Sequence, residues 1–160
     1  MNNFFRTRIV PLNKVHPRIP ETDQFRPIIV MSPIVKILEA RFLPKLNDYL
    51  IKKILLSQTG FVKGQGTHVN IQRAIQRIKL RTNNKKRVFG LFIDLKSAYN
   101  YIRHDKLFER LTKALNPSEV AFEKAIYSRI TIEHGQYSFT PNVGVAQGSL
   151  ISPALFNIYL

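Results

Sequence analysis

The apolar positions of this chain change their spacing several times, and each change predicts an element. FRPIIVMS at 25–32 is punctuated by Pro27 and closed by Pro33, which predicts a short strand or extended segment. Ile34, Ile37, Leu38, Phe42, Leu46 and Leu50 then recur at helical spacing, so a helix is expected over about 33–54, with Pro44 placed to kink or break it. A glycine-bearing loop at 60–66 follows. Thr67 is the expected N-cap of a second helix, with Ile71, Ile75 and Ile78 on one face and Arg73, Arg77 and Arg81 elsewhere on its surface. NNKKR at 83–87 is a polar turn that feeds VFGLFI at 88–93, a continuous apolar run of strand length with Asp94 at its end. Such a run implies a strand covered on both faces.

The second half reads as helices around one hairpin. A helix is expected over about 104–114 with Leu107, Phe108 and Leu111 inward, and Asn116 followed by Pro117 starts another. The segments 130–132 and 137–139 flank EHGQ at 133–136, a hairpin signal. Residues 153–160 read as the start of a helix that ends with the chain on apolar residues and without a capping residue, as though cut.

Charge adds the first hint of a partner. The chain has 160 residues, 25 Lys+Arg and 10 Asp+Glu, a net charge of +15. Before Gly90 the only acids are Glu21, Asp23, Glu39 and Asp48, while the same stretch holds most of the basic residues. That imbalance favours a polyanionic partner, because phosphate contacts release counterions. A solvated basic surface is the bland alternative. No apolar run approaches the roughly 18 residues a membrane span needs, so no membrane insertion is expected. Without cysteine there is neither a disulfide framework nor a thiolate metal site. The first 24 residues carry Arg6, Arg8 and Arg18 with no acid before Glu21, which is the charge pattern of an organellar transit peptide; Pro11, Pro17 and Pro20 oppose a long amphipathic helix, so a basic extended arm is the expectation. The lean toward Ile, Lys, Asn, Phe and Tyr suits A/T-rich codons and an organelle's own genome.

A carboxylate closing a buried strand is costly unless it is paired, hydrogen-bonded or on a metal. Taken alone, Asp94 is a capping residue. Its surroundings, FIDLKSAYNYI at 92–102, resemble the first aspartate motif of reverse transcriptases, in which an Asp closes a strand and an aromatic follows five residues on. Three further blocks are similar to that family in order: FRPIIVMSPIVKILEARFLPKLNDYL at 25–50, QTGFVKGQGT at 58–67 and NVGVAQGSLISPALFNIYL at 142–160. QGSLISPALFN is the most specific of them. The flavour is that of a non-LTR retroelement or an organellar intron enzyme.

The resemblance implies an α+β fold: a basic arm over 1–24, a fingers-like region over 25–87 and part of a palm over 88–160, with the thumb absent. It implies that Asp94 and the Leu95 carbonyl are Mg²⁺ ligands, with Asp94 catalytic if the site is completed. Tyr99, Gln147, Gly148 and Lys63 would bind the nucleotide, Tyr99 by stacking under the sugar and rejecting a 2′-hydroxyl. Arg26, Arg73, Arg77, Arg81, Lys85, Lys86 and Arg87 would contact nucleic acid. Val62 and Gln65 stand where Arg is frequent in the family, Asn100 where Asp is common and Ala146 where Pro is common. The Tyr-x-Asp-Asp block of the family is not in the sequence. The expectation is therefore a chain that does not polymerise alone, needs no cofactor by itself, and serves as an RNA-binding structural subunit of a ribonucleoprotein, in an organelle such as the mitochondrion. The alternative is half of a split RNA-directed DNA polymerase, completed by a protein partner at the apolar end near Leu160 and then using Mg²⁺.

Overall fold

The computed structural model describes residues 3–21, 24–53 and 57–160. It is a mixed α/β structure in which one small sheet sits beside a cluster of helices. Strand β1 (Arg6–Asn13) pairs antiparallel with β2 (Phe25–Val30), with Ile9 opposite Ile29 and Leu12 opposite Arg26. On its other edge β1 pairs in parallel with β3 (Thr131–His134), which turns through Gly135 and Gln136 into β4 (Tyr137–Phe139). The strand order is β2-β1-β3-β4. A parallel pair needs a long crossover, and here β2 and the four helices within 33–129 lie between β1 and β3 in sequence. The amino-terminal stretch expected to be an arm is extended, but as an inner strand of this sheet. Buried Thr7 donates from its hydroxyl to the Thr131 carbonyl at 3.0 Å.

Helix α1 (Pro33–Lys53) runs without a break across Pro44. Ile54, the expected last residue, lies outside the described residues. The buried stripe of α1 is Val35, Glu39, Phe42, Leu46 and Leu50, while Ile34 and Ile37 of the expected apolar face are exposed. Helix α2 (Thr67–Asn83) begins where expected, but its N-cap is Gly66 with extended backbone, and Thr67 is the first helical residue. Helix α3 (His104–Leu111) buries Leu107, Phe108 and Leu111 as the pattern predicts, and stops three residues early in a turn. Helix α4 (Pro117–Arg129) opens on a full capping box: the Asn116 side chain accepts from Glu119 N at 2.9 Å, and the Glu119 carboxylate accepts from Asn116 N at 3.1 Å. Helix α5 (Ser152–Tyr159) closes the chain.

One core lies where α1, α3, α4 and α5 meet, around Leu46, Leu107, Leu111 and Leu155. A smaller one, with Met31, Val35, Ile126, Ile130 and Ile132, joins α1 and α4 to the sheet. The apolar residues of the last segment serve the first of these: Ala154, Leu155 and Ile158 are buried within the chain, and Leu160 alone of them is exposed.

The expected buried strand at 88–93 is not formed. Residues 84–95 are in turn and irregular backbone, and Phe89, Leu91 and Phe92 are exposed by 89%, 86% and 97%. A strand covered on both faces needs neighbouring backbone to bond and layers to cover it. In the described sheet no strand pairs with this segment. Among the described residues no helix is long and apolar enough to cross a membrane.

Candidate functional site

A pocket of about 540 Å³ opens where β2, the 3₁₀ turn Ala98–Tyr101 and the 146–152 turn converge. Its lining brings together Arg26, Tyr99, Gln147 and Gly148, four residues drawn from three blocks far apart in sequence. Leu95 also lines it. Among the described residues its charged lining is Arg26 and Lys14, with no acid. Two cations beside a ring and amide groups suit a ligand with a phosphate tail and a flat polar head.

Tyr99 is the floor of the site. Its ring stacks on Phe156 of α5 at a centroid distance of 4.9 Å and an interplanar angle of 6°, and meets Phe61 edge-on at 6.4 Å. The two aromatic contacts hold the ring in one orientation, with offset and edge geometries that aromatic pairs favour. Burial raises the pKa of the phenol, so it stays protonated at neutral pH. The Tyr99 carbonyl accepts from Val145 N at 2.9 Å and the Ile102 carbonyl from Gly144 N at 2.7 Å, which ties the 3₁₀ turn to the strand-like run ahead of Gln147.

The turn that carries Gln147 and Gly148 is fastened on both sides. Ile29 N of β2 donates to the Gln147 carbonyl at 2.7 Å. Gly148 has φ +132°, and a Cβ placed there would run into the Ile29 carbonyl. On the far side the buried Glu39 carboxylate of α1 accepts from Ser149 Oγ at 2.7 Å and from Leu150 N at 2.9 Å. Ser149 Oγ in turn accepts from Ile151 N and Ser152 N at 3.2 Å each, seating the first turn of α5. The side chain of Gln147 reaches Asn100, Nε2 donating to Oδ1 at 3.4 Å. An Asp at position 100 would accept equally, so the departure to Asn keeps this contact.

Other expected site residues lie elsewhere. Lys63 is exposed in its turn and does not line the pocket; Phe61 is what that loop contributes. The loop is held against α5, with Asn157 Nδ2 donating to the Gly60 carbonyl at 2.8 Å and Gln58 Nε2 donating to Asn157 Oδ1 at 3.0 Å. Arg77, Arg81, Lys85, Lys86 and Arg87 are exposed and Arg73 half-buried, along α2 and the turn after it. The segment 67–87 contains no acid, and α2 buries no side chain. Asp94 is exposed and outside the pocket lining. Among the described residues no group of three or more His, Cys, Asp or Glu could hold a metal ion, whereas two cations at an in-line phosphoryl transfer need several carboxylate oxygens. The described residues do not by themselves make a two-metal centre.

Glu39 and Lys14 escaped the sequence reading. Glu39 had a signal: it falls on the buried stripe of α1, four residues after Val35 and three before Phe42, where a carboxylate must have donors. Lys14 had none, because it reaches the pocket through the pairing of β1 with β2.

Known proteins with related sequences identify the family. A family model described as reverse transcriptase (RNA-dependent DNA polymerase) matches residues 13–160. A probable RNA-directed DNA polymerase from transposon BS of Drosophila melanogaster is 26% identical over 144 residues, covering 86% of this chain and 16% of that protein. The RNA-directed DNA polymerase from mobile element jockey of the same species is 23% identical over 158 residues, 94% of this chain and 17% of that protein. A putative COX1/OXI3 intron 1 protein of Saccharomyces cerevisiae is 29% identical over 139 residues, 84% of this chain and 16% of that one. The chain thus spans less than a fifth of each of these relatives. With a match over nearly its whole length, the chain belongs to the reverse transcriptase (RNA-dependent DNA polymerase) family.

Proposed function

We propose that the pocket built by Arg26, Tyr99, Gln147 and Gly148 takes a nucleotide, and that this chain acts by itself as a basic RNA-binding module that does not polymerise. The convergence of those four residues, with Lys14, is the observation that carries the nucleotide reading. Residues 25–87 then serve as the fingers-like part and 88–160 as part of a palm. On this reading Tyr99 lies under the sugar and Gln147 contacts the ligand's polar edge. The acid-free stretch of α2 and the NNKKR turn supports contact with RNA phosphates, a contact of charge and shape more than of base sequence. Exposed Asp94, standing apart from other acids, supports the absence of polymerase chemistry in this chain alone. The intron protein among the relatives and the A/T-rich codon lean support an organellar ribonucleoprotein as the setting.

The test is binding of the purified chain to a structured RNA, followed by fluorescence anisotropy across salt concentrations. Changing Lys85, Lys86 and Arg87 together to Ala removes up to three phosphate contacts, and the salt slope should fall by about 2 to 3. An unchanged slope and affinity would remove the RNA reading. A deoxynucleoside triphosphate should bind with an affinity that Arg26→Ala weakens. Mg²⁺-dependent primer extension by this chain alone would overturn the claim that it does not polymerise.

The exposed apolar run at 88–93, leading to Asp94, favours a second reading. An RNA-directed DNA polymerase completed in trans would use a partner with a Tyr-x-Asp-Asp segment to cover that run, and Asp94 would then become a Mg²⁺ ligand. Primer extension that appears only after such a chain is added would establish it. Native purification with no such chain present would dismiss it.

A further inference from the structure

Buried side chains of α1, α4 and the start of α5 include a polar group that neither the nucleotide nor the RNA reading uses. Glu123 of α4 is 1% exposed, and neither of its carboxyl oxygens has a hydrogen-bond partner. Tyr127, one turn further along α4, has a buried hydroxyl without a partner, and so does Ser152 at the start of α5. The phenol of Tyr127 feels the charges of Glu39 and Glu123, with Ser152 beside it but outside hydrogen-bonding geometry. The charged group acting on Glu123 is Glu39 of α1, and the cation acting on Glu39 is Lys36, on α1 itself. From the α3 side His104 packs edge-on against the Tyr127 ring at 5.3 Å and hydrogen-bonds through Nε2 with the Gly144 carbonyl at 2.7 Å.

The two carboxyls are not equivalent. Burial raises the Glu39 carboxyl, but Ser149 Oγ and Leu150 N donate to it and, with the Lys36 charge, oppose that rise by stabilising the ionised form. Glu123 receives nothing of the kind, and two neighbouring buried carboxyls resist carrying two charges. We propose that Glu39 and Glu123 form a buried pair holding one proton and one negative charge, the proton on Glu123, and that loss of this proton loosens the 146–152 turn. Desolvation, with the charge of Glu39 adding to it, pushes the Glu123 carboxyl up to about 8, so the change falls near the alkaline edge of the physiological range. A second charge beside Glu39 competes for the Ser149 and Leu150 donors or drives α4 away from α1. Either movement acts on the turn whose other side is clasped by Ile29. Glu39 is thus a positioning residue for the turn, and Glu123 sets the pH at which that positioning holds. The consequence for the pocket rests on the proposed function; the switch itself does not.

The experiment is amide hydrogen exchange on the full chain between pH 6 and 9.5, each rate divided by that of an unstructured amide at the same pH. Protection at Leu150 and Ile29 should fall by up to about tenfold for each pH unit as pH rises toward 8, and level off above it. Leu115, which bonds to Leu111 at the end of α3, is the internal reference and should stay level. In Glu123→Gln the fall at Leu150 and Ile29 should vanish. Parallel pH curves in wild type and variant overturn the proposal. Infrared spectroscopy of the wild type decides the matter even if the variant does not fold. A protonated carboxyl band present at pH 6 and lost by pH 9.5 supports the pair, and its absence at pH 6 overturns it. Neither readout involves a nucleotide or RNA, so failure here is separable from failure of the proposed function.

Discussion

Replacing Gly148 by Ala tests whether the pocket turn is clasped against β2. The position has φ +132°, where a residue with a side chain is strained by about 1–3 kcal/mol. The new Cβ would also lie 3.3 Å from the carbonyl carbon of Ile29 and closer still to its oxygen. That neighbour is backbone in the sheet and cannot swing aside, so the turn must move away from β2. Moving it breaks the 2.7 Å bond from Ile29 N to the Gln147 carbonyl, worth about 1 kcal/mol. The two contributions give a loss of roughly 2–4 kcal/mol, a large share of the ~5–15 kcal/mol typical of a domain. Gly135 supplies the control. It also has positive φ, +59°, but nothing lies within 4 Å of its added Cβ, so Gly135→Ala should cost only about 1 kcal/mol. Urea denaturation followed by circular dichroism measures both. Equal midpoints for the two variants, within about 0.5 kcal/mol, would refute the clasp.

Other consequences can be checked in the same assay. Phe92→Ser should change stability by less than about 0.5 kcal/mol because Phe92 is 97% exposed; a loss of about 3–5 kcal/mol would mean that 88–93 is a buried strand after all. Glu39→Ala should cost about 2–4 kcal/mol by leaving Ser149 Oγ and Leu150 N unanswered, and Glu39→Gln, which keeps one acceptor, should cost less. The Glu123 carboxyl is raised from 4.5 to about 8 on folding, so its contribution is full below pH 4.5 and is lost as pH rises through 8, at roughly 1 kcal/mol per pH unit in between. Urea midpoints should follow that slope in wild type and lose it in Glu123→Leu. Asn116→Ala should cost about 1 kcal/mol through the α4 cap. Lys45→Ala should cost less, because the Lys45 side chain in its pair with Glu119 is 55% exposed.

What the sequence disclosed was mostly what short stretches decide for themselves. Asn116, Pro117 and Glu119 start α4 by local hydrogen bonds, and Leu107, Phe108 and Leu111 choose the inner face of α3 whatever surrounds them. Tyr99, Gln147 and Gly148 were found by motif, and their meeting with Arg26 in one pocket is what the motifs alone could not establish. The expectations that changed all depend on partners distant in sequence. VFGLFI has the composition of a buried strand, but composition supplies neither the neighbouring backbone nor the covering layer. Residues 1–24 read as a basic extended arm because nothing local reveals that β1 has β2 on one edge and β3 on the other. Glu39 and Glu123 lie between these cases. Each sits on its helix's buried stripe, Glu39 with Val35 and Phe42, Glu123 with Val120 and Ile126. A carboxylate at a core position has to find a donor, a counter-charge or a proton. Glu39 found donors in the pocket turn and Glu123 found none, and this difference between two acids in matching positions is what makes one of them a clamp and the other a titratable control on it.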